Sequence, residues 1–263
     1  MLLVALLLAA ANPDWNRPVD PFRIAGNLYY VGANEITSYL FVTPQGHILL
    51  DGGYEETAPL ILANIANIAK IGYEPKDVKI LINSQSHVDH AGGFAALKQA
   101  TGAKLWVMKG DAEEIERGGL GDPHFADTMP FPKVKVDRVL KDGDKVTLGK
   151  TTLTAVLTAG HTPGCTTWTT TIEGKHVVFV CSVAAPGYKI TPELVNEFRA
   201  TFKKLAALPC DIFLGSHGGF FDLDRKRMTG EFVNPLDYQR FLERSQRTFE
   251  EQVKTSQTAA PAK

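Results

Sequence analysis

A chain of 263 residues can form one large domain or two small ones around a sizeable core. Its 44 % apolar and 22 % charged residues are ordinary for a soluble globular protein. A formal net charge of −1 gives no electrostatic case for nucleic acid or an anionic membrane as partner, and leaves a small neutral or singly charged substrate. No obligatory protein partner is indicated.

Met1 to Ala11 form an apolar run of signal-peptide core length, ending in small residues before Asn12 and Pro13. The run is too short for a transmembrane helix and lacks a basic segment before it. It is read as a possible, truncated export signal, which predicts a periplasmic or secreted protein. The alternative is a packed or disordered apolar N-terminus. Residues 12–254 are expected to form one domain and 255–263, small and polar with Pro261, a disordered tail. No repeat, low-complexity block or internal linker interrupts the chain.

Short strands are predicted at Leu28–Val31, Ser38–Thr43 and His47–Asp51, with Pro44-Gln45-Gly46 turning between the last two. Thr57–Ile71 has apolar residues at helical spacing and stops at Gly72. Val78–Ile82 is β-branched and predicts a buried strand, Ala91–Thr101 a helix closed by Gly102, Lys104–Met108 a strand, and Asp111 the start of another helix. Strands follow at Val134–Leu140, Lys145–Leu148, Thr151–Thr158, Thr166–Ile172 and His176–Cys181, with turns at Asp142-Gly143 and Glu173-Gly174. A helix over Glu193–Ala207 and a strand over Asp211–Leu214 come next. Asn234 caps a helix that begins at Pro235 and runs to about Lys254. Strand sets with helices in both halves predict two packed sheets covered by helices.

Cys165, Cys181 and Cys210 make an odd count, which allows one disulfide and one free thiol, or three buried thiols. The export reading and the position of Cys181 and Cys210 at strand edges predict a Cys181–Cys210 bridge, with Cys165 free.

The chemistry lies in ILINSQSHVDHAGGF, residues 80–94, where two histidines and an aspartate fall within four positions. His87 and His90 follow one predicted strand, His161 (in TAGHTPG) a second, and His217 (in LGSHGG) a third. Imidazoles beside glycine at three strand ends predict convergence at one edge of a sheet, where loops carry reactive groups on a rigid scaffold. Imidazole and carboxylate are zinc ligands. His87, Asp89 and His90 are too close together for one simple tetrahedron, so the spacing suits two adjacent metals. His47, His124 and His176 lack such company and read as surface or core imidazoles.

These residues carry a resemblance to the metallo-β-lactamase superfamily, and within it to subclass B3 metallo-β-lactamases. It rests on DGG at Asp51–Gly53, SQSHVDHAGG at Ser84–Gly93, TGAK at Thr101–Lys104 and HF at His124–Phe125. AGHTPGCTTWT at Ala159–Thr169, CSVAAPGY at Cys181–Tyr188 and LPCDIFLGSH at Leu208–His217 complete it. It extends from Trp15 to the C-terminal helix. The HxDH core resembles the whole superfamily; the Ser182–Tyr188 and LPCD stretches resemble the subclass.

The resemblance implies an α/β fold, an αββα sandwich of two mixed β-sheets flanked by helices. It implies zinc at Gln85, His87 and His161, and zinc at Asp89, His90 and His217. It implies a zinc-activated water attacking the carbonyl of a β-lactam antibiotic (penicillin, cephalosporin or carbapenem). Tyr188 would stabilise the oxyanion, Asp89 would orient the water, and Ser182 would contact a water or the substrate carboxylate; Tyr188 reads equally as a packing aromatic.

Two positions depart from the family pattern. Gln85 stands where a histidine is usual, and a neutral amide is a weaker zinc donor than imidazole. The expectation is one tight site at Asp89, His90 and His217 and a second, weaker one. Ala184 stands where many members carry a hydroxyl for the substrate carboxylate. Lys189 is the candidate to replace that contact, its bland reading being a solvated lysine. The alternatives are a thioester or lactone hydrolase resembling glyoxalase II, and a non-catalytic zinc-binding protein. The lactonase and glyoxalase-II patterns place an aspartate in the segment around Cys181 and Ser182, and no acidic residue occurs between Gly174 and Glu193.

Overall fold

The computed structural model describes residues 14–68 and 74–258. The apolar run Met1–Ala11 lies outside them. Two mixed sheets pack face to face with helices on the outer sides.

The first sheet has seven strands in sequence order. β1 (Phe22–Ala25), β2 (Leu28–Tyr30), β3 (Tyr39–Thr43) and β4 (Gly46–Leu50) form an antiparallel meander. β5 (Val78–Ile82), β6 (Lys104–Met108) and β7 (Arg138–Leu140) add in parallel. Parallel neighbours need crossovers. These run through α1 (Ala58–Ile68), then α2 (Val88–Ala91) with α3 (Phe94–Thr101), then α4 (Lys109–Arg117).

The second sheet has five strands: β8 (Lys145–Leu148), β9 (Thr151–Leu157), β10 (Thr166–Ile172), β11 (Lys175–Val180) and β12 (Ile212–Gly215). The first four are antiparallel neighbours; β12 pairs parallel to β11 after α5 (Pro192–Ala206). α6 (Leu223–Thr229) and α7 (Pro235–Thr258) close the chain. Among the described residues no helix is long and apolar enough to cross a membrane.

Strand periodicity sorts the core. Ile48, Leu50, Ile80 and Ile82 point between the sheets, towards Trp168, Phe179 and Leu214. Leu49, Leu81, Leu105 and Val107 point the other way, onto Ile61 and Ile65 of α1, Phe94 and Leu97 of α3, and Ile115 of α4. Strands covered on both sides explain the near-continuous apolar runs in the sequence.

Several expectations are corrected. The helix expected over Ala91–Thr101 begins only at Phe94, separated by Gly92-Gly93 from α2, which ends at Ala91. A Cβ on Gly93 would lie 2.1 Å from the carbonyl oxygen of Gly52, so only glycine allows this approach. The strand expected over Val134–Leu140 is regular only from Arg138. α7 runs through residues 255–258, placed in the tail; residues 259–263 lie outside the described set. The helix expected over Thr57–Ile71 is described over Ala58–Ile68, and its expected end at Ile71 lies outside the described residues. β1 and α6 were not anticipated.

The disulfide is Cys165–Cys181, with Cα atoms 5.9 Å apart, and Cys210 is free. The Cys181–Cys210 expectation fails on strand direction. Val177 pairs with Ile212 and Val180 with Gly215, so Cys210 enters beside the start of β11 while Cys181 leaves at its end. Six residues of strand separate those ends, about 20 Å. Cys165 and Cys181 instead flank the open end of the antiparallel β10–β11 hairpin.

Candidate metal centre

The ends of β4, β5, β9, β11 and β12 deliver Asp51, residues 83–90, His161, residues 181–188 and His217 to one edge of the sandwich. The sheets are stitched together there. Thr166 N donates to Ser84 O at 2.7 Å, Trp168 Nε1 to Asn83 O at 2.9 Å, and the Tyr39 hydroxyl to Gly215 O at 2.7 Å.

Ligand atoms of Asp89, His90 and His217 all lie within 4.8 Å of one another. Nε2 of His90 is 3.3 Å from Nε2 of His217; Asp89 Oδ2 is 3.2 Å from the first and 3.5 Å from the second. Two imidazole nitrogens this close call for a shared cation or proton between them. The local field agrees. Burial disfavours charge on His90, yet Asp89 and Asp51 on its two sides push it up to about 10. Burial likewise opposes charge on Asp89, but His90, His217 and His87 hold the carboxylate far below its usual range. Burial and the neighbouring His90 lower His217 to about 4, leaving a neutral imidazole ligand. This set fits a divalent cation.

Beside it, the rings of His87 and His161 face each other with centroids 4.7 Å apart. Gln85, two residues before His87, is fully buried, and neither its Oε1 nor its Nε2 has a hydrogen-bond partner. A buried amide left unpaired costs about 1–3 kcal/mol, and a cation that uses the amide oxygen would remove that cost.

Every histidine of the two sets presents its other nitrogen to an oxygen. His90 Nδ1 is 3.3 Å from Asp51 Oδ2, and His161 Nδ1 donates to Ala184 O at 2.7 Å. His217 Nδ1 is 3.7 Å from Glu35 Oε1, and His87 Nε2 makes a short but bent contact of 3.0 Å with Asp122 Oδ2. The hydrogen-bonded partners of His90 and His161 fix tautomer and ring angle and raise ligand basicity. Asp51 holds its place at φ +64°, accepting from Ser84 N at 2.6 Å and Ser84 Oγ at 2.7 Å. Sequence reasoning gave Asp51 no role of its own and missed Glu35 and Asp122. DGG directly after a strand was the signal for Asp51; the other two have no local pattern.

The remaining candidates divide. The Tyr188 hydroxyl donates to His161 O at 2.9 Å, and its ring stacks on His124 at 3.6 Å, so His124 walls the site. Burial raises the phenol, keeping it a neutral donor. Ser182 is buried beside Cys181, its hydroxyl 3.4 Å from Ala184 N. Lys189 is exposed and lines a cavity together with His124.

The two-sheet sandwich thus carries, at one edge, a carboxylate–imidazole cluster fit to hold a metal. The family model described as the metallo-β-lactamase superfamily matches residues 31–217, and the chain belongs to that superfamily. Native FEZ-1 metallo-β-lactamase from Legionella gormanii is 41 % identical, covering 93 % of this chain and 99 % of its own, with a TM-score of 0.89. BJP-1, a subclass B3 metallo-β-lactamase of Bradyrhizobium japonicum, is 35 % identical over 94 % and 98 % of the two chains, with a TM-score of 0.86. Among curated proteins, a hydroxyacylglutathione hydrolase of Hyphomonas neptunium is 35 % identical over 82 residues. A probable metallo-hydrolase of Burkholderia pseudomallei is 32 % identical over 111 residues. These matches span 25 % and 35 % of the two relatives, respectively.

Proposed function

We propose that the protein is a zinc-dependent β-lactamase of the B3 type, hydrolysing the cyclic amide of β-lactam antibiotics. The observation that carries this is the Asp89–His90–His217 cluster, in a chain similar over nearly its whole length to metallo-β-lactamases. The tight zinc site is assigned to Asp89, His90 and His217, and a weaker one to Gln85, His87 and His161. When bound, zinc supplies Lewis acidity and brings water within reach of deprotonation near neutral pH.

The chain's own groups do the rest. Asp89, ionised across the neutral range, orients a water proton. Tyr188 donates to the developing oxyanion by exchanging its bond to the His161 carbonyl. Ser182 holds the substrate carboxylate, and Lys189 supplies positive charge where Ala184 lacks a hydroxyl. Water adds to the carbonyl carbon, the C–N bond breaks, and the nitrogen takes a proton. The Cys165–Cys181 bridge suits an oxidising compartment, which supports export.

The second reading is thioester hydrolysis, which the hydroxyacylglutathione hydrolase matches favour. The lack of an acidic residue between Gly174 and Glu193 counts against it. Steady-state turnover of a carbapenem, a penicillin and a glutathione thioester by the zinc-loaded protein separates the two. β-Lactam turnover well above thioester turnover is expected; the reverse order would overturn the assignment.

A further inference from the structure

The loop from Gly118 to Phe131, between α4 and β7, is built around one side chain. Oδ1 of Asp122 accepts from the amides of His124 and Phe125, both at 2.6 Å. The main chain of Asp122 pairs with Ala126 in both directions, at 2.9 and 3.2 Å. The amide of Gly121 donates to Asp127 Oδ1 at 2.8 Å. That leaves Oδ2, which meets Nε2 of His87 at 3.0 Å, with side chains 6 % and 5 % exposed.

The loop then returns to the other histidine of the same set. His124 lies flat on Tyr188 at 3.6 Å, and Phe125 touches both His87 and Tyr188, at 5.3 and 5.4 Å between ring centroids. Tyr188 holds the His161 carbonyl. Contacts therefore close a circuit from His87 through Asp122, the loop and Tyr188 to His161. Gln85, His87 and His161 are all neutral donors, whereas the neighbouring site contains the Asp89 carboxylate. Among the described residues, Asp122 is the carboxylate placed within ion-pair distance of the neutral set.

We propose that Asp122 is a positioning residue which couples metal at His87 to the order of the loop over residues 121–128. The inference rests on the assignment of a metal to Gln85, His87 and His161. With Nε2 facing Asp122 Oδ2 at 3.0 Å, His87 has Nδ1 left to offer a metal, and the adjacent carboxylate favours that tautomer and strengthens the donor. Metal that fixes the His87 ring also fixes Asp122, and with it the two amides that shape the loop. By linkage, loosening the loop must weaken metal binding.

The test uses the full chain and zinc alone, with a competitive zinc titration and amide exchange across residues 121–128. In the wild type, zinc should slow exchange at His124 and Phe125. Asp122→Asn keeps an acceptor for those two amides but loses the charge. It should weaken the first site roughly ten- to a hundredfold, leave the Asp89–His90–His217 site within about twofold, and abolish the effect of zinc on the loop. First-site affinity unchanged in Asp122→Asn, or loop exchange in the wild type indifferent to zinc, overturns the proposal. If Asp122→Asn does not fold, His87→Ala decides. Loop exchange that no longer responds to zinc supports the coupling; loop exchange that still responds overturns it. Failure to hydrolyse β-lactams would refute the proposed activity without touching these outcomes.

Discussion

Both atoms of the Gln85 amide are buried without a hydrogen-bond partner, as are both atoms of the Asn83 amide. His161 is oriented through the Ala184 carbonyl, and His87 faces the Asp122 carboxylate at 3.0 Å. Replacing the amide by imidazole should therefore tighten the first zinc, and Gln85→His should raise its affinity by roughly ten- to a hundredfold. A zinc titration against a chromogenic chelator reads this. An unchanged first-site affinity in the variant, or two equally tight sites in the wild type, would refute it. The candidate ligands were legible in the sequence because HxDH and two glycine-flanked histidines form a pattern that isolated residues do not. Asp122 and Glu35 were not. Each is a lone acid in a polar loop, and only the folded chain brings it to an imidazole.

The β10–β11 hairpin carries the His161 loop at one end of its bridge and the Ser182 loop at the other. The Cys165–Cys181 disulfide closes that end, with a sequence separation of 16. In the chain-entropy model a loop of this size stabilises by about 3 kcal/mol. Cys181→Ala should lower the oxidised protein's unfolding free energy by about that amount, and Cys210→Ala by much less, in urea titrations. Equal effects of the two changes would contradict the pairing. Local patterns marked β5, β6, β8 and β10 to the residue, because β-branched runs between turn residues are a local signal. The bridge was misassigned because it depends on β12 lying parallel to β11, a fact of topology rather than of either segment. The break between α2 and α3 was likewise invisible, since the close approach of Gly93 to Gly52 O joins segments far apart in the chain.

Beneath the metal centre the molecule buries carboxylates that its net charge does not reveal. Burial, helped by the charge on Asp122, raises Glu114 to about 7, and burial raises Asp111 to about 6. A carboxyl with a raised native pKa contributes stability that is present below its unfolded value and is lost as pH climbs through the native value. For Glu114 that window runs from about 4.5 to about 7. Glu114→Gln removes the penalty, so its stability relative to wild type should rise by up to about 3 kcal/mol between pH 5 and 8. Thermal unfolding of the chelated proteins across that range measures this; a pH-independent difference would contradict it. The two-sheet architecture was readable from the order of strands and helices, whereas these buried acids emerged only when the layers were stacked. The account as a whole stands on the metal at Asp89, His90 and His217. Its test is a zinc titration of chelated protein while hydrolysis of a chromogenic cephalosporin is followed. Activity should be absent without metal and rise with the first equivalent of zinc, in wild type but not in His90→Ala or His217→Ala. Undiminished turnover by the metal-free protein, or full activity in either variant, would contradict it.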